Sequence, residues 1–119
     1  MEDYFTFKNC KFTNNESIQG NGGCVSFKQD TFTFLWPSVT LDNCNFESNN
    51  AAKYGAVLYL DDTHLSTDEQ HIRHTGDTSK NGSPGRNSYV YEDYKPVNNT
   101  YCAFQRTKIK IDGDNYLDY

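Results

Sequence analysis

The sequence contains two copies of one unusual pattern, 34 positions apart, and this repeat restricts the fold more than any other feature. The segment FTFKNCKFTNN at 5–15 aligns without a gap with VTLDNCNFESN at 39–49. An offset of this size is typical of structural repeats, in which each unit packs on its neighbours. The aligned pairs are Phe5 and Val39, Phe7 and Leu41, Asn9 and Asn43, Cys10 and Cys44, Phe12 and Phe46, and Asn15 and Asn49.

A second part of the repeat follows a loop that is two residues shorter in the second copy. The aligned pairs are Gly23 and Gly55, Cys24 and Ala56, Val25 and Val57, and Phe27 and Tyr59. On this alignment Val57 and Tyr59 face the core, whereas Leu58 and Leu60 face outward. Two exposed leucines need a cover. We expect the chain after residue 60, or a neighbouring subunit, to lie over them.

Within the first part, the apolar residues alternate in two short bursts separated by a shift of phase. Such bursts predict two short strands that meet at a bend. Asn9 and Asn43 fall at the bend, and Asn15 and Asn49 follow one strand later; Asn tolerates the left-handed backbone of a bend. Stacked copies of these side chains would bond to one another as a ladder. Three short strands per unit, repeated in register, predict an all-β chain with a parallel β-helix fold.

After the second copy the repeat is no longer visible. Ser66 and Glu69 have the spacing of a helix N-cap, and Gly76 supplies a stop, so a short helix is predicted over residues 67–75. The next thirteen residues, GDTSKNGSPGRNS at 76–88, contain almost nothing apolar and predict a long flexible loop.

Near the end of the chain, Cys102 and Phe104 repeat the Cys-x-Phe spacing of the two copies, and an alternating strand follows at 108–111. The sequence therefore predicts two to three coils. The predicted boundaries are two coils over residues 1–60, an insertion with the helix and the loop over residues 61–99, and a degenerate third coil or capping strand over residues 100–119.

The charge of the chain argues against nucleic acid as a partner. The net charge is −5, and the eleven basic residues are scattered instead of forming a stripe. No apolar run is long enough to span a membrane, and the N-terminal MEDYFTFKNC is acidic and aromatic where a signal peptide is basic and then apolar. We expect neither a membrane span nor a signal peptide in this chain.

The four cysteines contain no CxxC pair, so a zinc site has little support. Cys10 and Cys44 fall at the same position in successive coils, where parallel strands lie about 4.8 Å apart. Their Cβ vectors would run side by side instead of converging, so we predict two stacked free thiols and no disulfide. No metal and no cofactor are expected.

The two copies resemble the paired FxxN and GGA[ILV] motifs of polymorphic outer-membrane-protein repeats, over residues 5–60. The matching residues are Phe12, Asn15, Gly22, Gly23 and Val25 in the first copy, and Phe46, Asn49, Gly55, Ala56 and Val57 in the second. Cys24 and Tyr54 depart from the motif, which prefers Ala and Gly there. The resemblance implies a right-handed parallel β-helix of the pectin-lyase-like class at the cell surface or secreted.

The resemblance implies a non-enzymatic protein that acts in adhesion or as a structural scaffold. Its expected partners are a host-cell or matrix protein or a glycan, together with end-to-end self-association. Two alternatives stay open: a polysaccharide lyase or hydrolase of the same fold, and a truncated reading frame without independent function.

The lyase or hydrolase alternative needs acidic and basic side chains on one face. The candidates are Asp42, Lys53, Asp61, Asp62, Lys108 and Lys110. Paired carboxylates can serve as acid and base or bind Ca²⁺, but a polar pair just after a strand is more often a turn. His64, His71 and His74 cluster in one segment, and His71 and His74, spaced i and i+3, would share a helix face suited to a metal, although a polar surface helix explains them as well.

Overall fold

The computed structural model describes residues 4–28, 37–81, 89–92, 95–96, 99–111 and 115–118. Within these ranges the secondary structure is almost entirely short strands, with one 3-10 helix at Glu69–His71. The strands are β1 Tyr4–Lys8, β2 Lys11–Thr13, β3 Glu16–Ser17, β4 Val25–Lys28, β5 Ser38–Asp42, β6 Asn45–Glu47, β7 Asn50–Ala51, β8 Leu58–Asp61, β9 His64–Thr67, β10 Arg73–Thr75, β11 Thr78–Ser79, β12 Tyr91–Glu92, β13 Lys95–Pro96, β14 Cys102–Gln105, β15 Lys108–Ile111 and β16 Asn115–Asp118.

The chain crosses four parallel sheets in a fixed order. Sheet A contains β1, β5, β9 and β15, sheet B contains β2, β6 and β10, sheet C contains β3, β7 and β11, and sheet D contains β4, β8 and β14. We call each run through sheets A, B, C and D a pass. Two antiparallel pairs accompany the passes: β16 pairs with β15 at the end of sheet A, and β12 pairs with β13. The all-β prediction is confirmed, with parallel sheets.

The first two passes pair at the offset that the sequence predicts. Phe7 lies opposite Leu41 in sheet A, and Phe12 lies opposite Phe46 in sheet B. The two strands of each pair run parallel, so equivalent side chains stack between passes. The gap-free alignment of 5–15 with 39–49 is therefore confirmed by the strand register.

Sheet D corrects the predicted alignment of the second part by one residue. Val25 pairs with Leu58, not Val57, and Phe27 pairs with Leu60. Leu58 and Leu60 are consequently buried, and the prediction that they face outward is wrong. The reason is the period of two in a strand, since a shift of one residue moves every side chain to the other face.

The glycines at the start of sheet D explain this register. Gly22 and Gly55 both have a left-handed backbone, with φ of 67° and 65°. A Cβ at Gly55 would collide with the carbonyl oxygen of Leu58, so only glycine fits there. The backbone N–H of Gly22 donates to the carbonyl of Tyr54 at 2.9 Å. Gly55 therefore occupies the place of Gly22, and the loop is one residue shorter instead of two.

The third pass begins at β9, within the segment that the sequence assigns to an insertion. β9 pairs with β5, β10 with β6 and β11 with β7. The helix predicted over residues 67–75 is wrong, because these residues form the end of β9, the 3-10 turn and β10. Leu65 and Thr67 are buried while their neighbours are half-buried, a period-two pattern that stacks on the second pass and overrides the local capping signal.

The end of the third pass lies far along the chain. β14 pairs with β8, which places Cys102 opposite Leu58 and not beside Cys44. The residues between β11 and β14 therefore separate the third and fourth strands of one pass. Next in sequence, β15 pairs with β9 in sheet A, and β16 turns back along it.

The core lies between the sheets and is made of side chains that repeat from pass to pass. Phe46 is fully buried, and its ring stacks on that of Phe12 with centroids 5.1 Å apart and planes 10° apart. On its other side Phe46 stacks on Tyr89 at 5.8 Å. Other apolar side chains with no more than 1% exposure include Val39, Leu41, Val57, Leu58, Leu60, Leu65, Val90 and Ile109.

Candidate functional site

A ladder of three polar side chains, Asn15, Asn49 and Asp77, links the three passes, and we call it the Asx ladder. The amide nitrogen of Asn15 donates to Oδ1 of Asn49 at 3.1 Å. The amide nitrogen of Asn49 in turn donates to Oδ1 of Asp77 at 2.8 Å. The contact between Asn15 and Asn49 that the sequence predicts is present, and the third pass extends it.

Backbone groups take part in the Asx ladder at every step. The backbone N–H of Asn15 donates to Oδ1 of Asn49, and that of Asn49 donates to Oδ1 of Asp77. The amide of Asn49 also reaches the carbonyl of Phe12 at 3.1 Å. Since strand pairing is interrupted at this corner, the ladder supplies the partners that these buried backbone groups need.

The residue before each ladder position has a left-handed backbone. These residues are Asn14, Ser48 and Gly76, with φ of 58°, 57° and 68°. Residues with short polar side chains, or none, reach this region at the lowest cost. The side chain that follows each bend joins the Asx ladder; Asn49 and Asp77 are buried, whereas Asn15 is half-buried.

Asp77 is the member of this site that the sequence analysis did not identify. The signal is the spacing His74-x-x-Asp77, which matches Phe46-x-x-Asn49 once His is allowed for Phe and Asp for Asn. In the structure His74 lies opposite Phe46, and its ring packs on that of Tyr89. Burial lowers the pKa of His74, which favours the neutral ring beside the stacked rings of Phe46 and Tyr89.

The carboxyl of Asp77 is satisfied on one side only. Oδ1 accepts from both the backbone and the amide of Asn49, each at 2.8 Å. Oδ2 is buried and has no hydrogen-bond partner among the described residues. Burial raises the pKa of Asp77 above its ordinary value of 3.8, although the hydrogen bonds from Asn49 act in the opposite direction.

Replacing Asp77 with asparagine is expected to raise the free energy of unfolding at neutral pH, because it removes a charge that burial disfavours. The variant keeps the Oδ1 acceptor and removes the charge. Because the folded pKa is raised, the wild-type stability from protonated Asp77 is fully present below pH 3.8 and is lost as the pH rises through the folded pKa. Urea unfolding from pH 4 to pH 8 should show this decline in the wild type and a flatter profile in D77N. E16Q, at an exposed carboxyl, is the control, and equal profiles for all three proteins would refute the assignment.

The corner between sheets A and B carries a second, exposed contact of the same kind. The amide of Asn43 donates to Oδ1 of Asn9 at 2.7 Å, and both residues have a left-handed backbone. The bend that the sequence predicts at these two asparagines is therefore confirmed. In the third pass the 3-10 turn takes this place.

The corner between sheets D and A holds an ion pair instead of asparagines. Arg106 donates to Oδ1 of Asp61 at 2.7 Å and to Oδ1 of Asp62 at 2.9 Å. Asp62 and Arg106 both have a left-handed backbone, with φ of 52° and 47°. The carboxylates that the sequence offers as acid and base are thus held by one guanidinium at a bend.

The polysaccharide-cleaving constellation is not assembled. Asp42 ends β5 in sheet A, Asp61 ends β8 in sheet D, and Lys53 follows β7 of sheet C. The convergence on one face that the lyase or hydrolase alternative requires of these three side chains does not occur, because successive strands of a pass belong to different sheets. Lys108 and Lys110 lie in sheet A opposite His64 and Ser66.

The histidines do not form a metal site in the part of the chain that the structure describes. His64 lies in sheet A, His71 contacts the carboxylate of Asp68 in the 3-10 turn, and His74 packs on Tyr101 with ring centroids 3.6 Å apart. The helix face that His71 and His74 would share is not formed, because His71 ends the 3-10 turn and His74 lies in β10. No group of three metal-binding side chains occurs among the described residues.

All four cysteines are free thiols. Cys10 and Cys44 each lie directly before the sheet B strand of their pass. Cys44 is buried, and its thiol donates to the carbonyl oxygen of Phe7 at 3.3 Å. Burial raises the pKa of Cys24 to about 12 and that of Cys44 above its ordinary value. Burial also raises the pKa of Cys102. Thiolate chemistry is therefore suppressed at these three positions.

Sheet A presents a regular row of hydroxyl groups on its outer surface, which we call the hydroxyl row. Thr6 lies opposite Thr40, and Thr40 lies opposite Ser66. Thr6 is exposed and the other two are half-buried, while the residues on either side of Thr40 are fully buried. Parallel pairing spaces the three positions by about 4.8 Å. The row is a flat surface on which a ligand could make repeated hydrogen bonds.

Comparison of the chain with family models, with curated proteins and with solved structures found no match. In the described residues, no helix has the length and apolar character needed to cross a membrane.

Proposed function

We propose that the chain is a segment of a right-handed parallel β-helix that acts as a non-enzymatic scaffold in adhesion, at the cell surface or in a secreted protein. The observation that carries this proposal is the register of the repeat. Phe12 and Phe46 pair in sheet B, Asn15 and Asn49 bond in the Asx ladder, and Gly22 and Gly55 share one backbone conformation. These are the FxxN and GGA[ILV] positions, and they do structural work in both copies.

The difference in role between the repeated side chains and the outward side chains supports a scaffold. The repeated side chains fill the core and the corners, so the outward side chains are free to vary without loss of the fold. A flat surface with equally spaced polar groups suits a partner that is itself extended, such as a glycan or a strand of a host-cell or matrix protein. Its affinity would come from many weak contacts rather than from one deep pocket.

The hydroxyl row is the surface that we assign to the partner. Beads coated with the chain should retain cells, matrix protein or glycan, and the triple variant T6A/T40A/S66A should weaken this retention about tenfold or more, because each lost hydrogen bond contributes about 0.5–1.5 kcal/mol. T13A/T75A, which removes two exposed hydroxyls from sheet B, is the matched control.

Two results would contradict the assignment. Retention that is unchanged by heat denaturation of the bead-bound chain would show that the fold is not required. An equal loss in T6A/T40A/S66A and in T13A/T75A would show that sheet A has no special part. Circular dichroism of each variant confirms that it is folded before the comparison is made.

A further inference from the structure

The outer edge of the first pass is the least covered apolar part of the described chain. The large apolar side chains that are exposed among the described residues are Tyr4, Phe5, Ile18 and Tyr54, and three of the four belong to this pass. Phe5 is 40% exposed and Ile18 77% exposed. Val39, which lies opposite Phe5 in the second pass, is fully buried. Among the described residues, the core is therefore covered on the side of the second pass and less covered on the other side.

The same edge offers backbone groups for pairing. Among the described strands, none pairs with the outer edges of β1, β2, β3 and β4. β1, with five residues, is the longest of these strands. An open strand edge beside apolar side chains is a template for a strand from another chain.

The opposite end of sheet A is closed to parallel growth. β16 runs antiparallel along β15 and occupies the place where a further parallel strand would have to pair. A head-to-tail stack of copies, which would grow into a filament, is blocked in this sheet. An association of two identical ends about a two-fold axis closes on itself and needs only the open edge.

We propose that two copies of the chain associate through their first passes, with β1 of one copy antiparallel to β1 of the other about a two-fold axis at Thr6. The pairing joins the two five-stranded A sheets into one continuous sheet. It places Thr6 opposite Thr6, Phe5 opposite Phe7, and Tyr4 opposite Lys8 of the second copy.

This register is chemically self-complementary. Phe5 and Phe7 meet on the inner face as a cross-strand aromatic pair, and no like charges lie directly opposite. Lys8 of one copy lies beside the ring of Tyr4 of the other copy, where a cation–π contact is favourable. The molecule extends 35, 30 and 26 Å along its principal axes. An elliptical end bounded by any two of these extents covers roughly 600–800 Å² per copy, near the about 800 Å² per partner of a stable interface.

Sedimentation of the 119-residue chain over a range of concentrations tests the association. We expect a dimer that dissociates on dilution, and F5K should raise its dissociation constant by about tenfold or more. T75K changes an exposed residue of β10, on the opposite outer edge, and should leave the dimer intact. A monomer at all concentrations, growth into filaments, or an equal effect of T75K would overturn the proposal.

Cysteine cross-linking tests the register itself. The dimer places the two copies of residue 6 directly opposite, so T6C should form a covalent dimer rapidly under mild oxidation. The two copies of residue 8 are about 14 Å apart along the strands, so K8C, on the same exposed face, should not exceed the wild-type background. Equal cross-linking of T6C and K8C, or none in either variant, would refute the two-fold register. Neither experiment depends on the adhesive function, so the two proposals can fail separately.

Discussion

Replacement of Phe46 by alanine is expected to lower the free energy of unfolding by about 3–5 kcal/mol. Phe46 is fully buried, and its ring stacks between Phe12 and Tyr89. Its removal leaves a cavity bounded by rings that belong to the first pass and to the segment between β11 and β14. Because sheet B holds the neighbouring strands in place, the cavity cannot collapse fully.

Phe12 provides the matched control for this experiment. It has the same side chain at the same position of the repeat, but it lies in the first pass and is only half-buried. F12A should therefore cost about half as much as F46A, in proportion to the apolar area already buried. Urea unfolding followed by circular dichroism measures both. Equal losses in the two variants would show that the free energy lost on removing a stacked ring does not follow the burial of that ring.

Replacement of Asn49 by alanine should cost about 2–4 kcal/mol, since it leaves several buried polar groups without partners. The side chain accepts from the backbone and the amide of Asn15, and it donates to the carbonyl of Phe12 and to Asp77. Alanine fits the space but can replace none of these four bonds. The loss is therefore larger than for a single hydrogen bond.

Asn43 is the control for the ladder, because its amide bonds to Asn9 in an exposed corner. N43G removes the side chain while keeping the left-handed backbone accessible, and it should cost less than about 1 kcal/mol. Unfolding of N49A and N43G in urea separates a buried polar network from an exposed one. A loss in N49A no larger than that in N43G would show that the Asx ladder contributes little.

The sequence predicted the parts of this fold that repeat identical residues at a constant spacing. Phe12 with Phe46, Asn15 with Asn49, and Asn9 with Asn43 all follow from one gap-free alignment. Each of these residue types has a physical reason to recur, as a stacked ring, a ladder amide or a left-handed bend. The strand register in sheets A and B follows directly from them.

The third pass could not be predicted in this way, because both its residues and its spacing differ. His74 replaces Phe and Asp77 replaces Asn, and the strand pairing in sheet B moves from an offset of 34 to one of 28. The Ser-x-x-Glu signal at Ser66 is a local preference, whereas the burial of Leu65 depends on the second pass. Local capping signals are weak when tertiary packing opposes them.

The register of sheet D was ambiguous for a different reason. The first copy offers two adjacent glycines, Gly22 and Gly23, and the second offers only Gly55. Sequence alone does not show which of the two has the left-handed backbone. The structure assigns that conformation to Gly22, and the choice reverses the faces of Leu58 and Leu60.

The order of the strands in the sheets has a consequence for how the molecule folds. In sheets A, B, C and D every described strand of the second pass lies between one from the first and one from the third, and these outer passes are not neighbours in any sheet. Among the described strands, the backbone pairing between the two ends therefore runs only through residues 38–61. Strands of the second pass must close loops of about thirty residues on both sides before the first or the third pass gains its contacts. Because this closure costs chain entropy, we expect slow nucleation at the second pass, followed by rapid propagation outward.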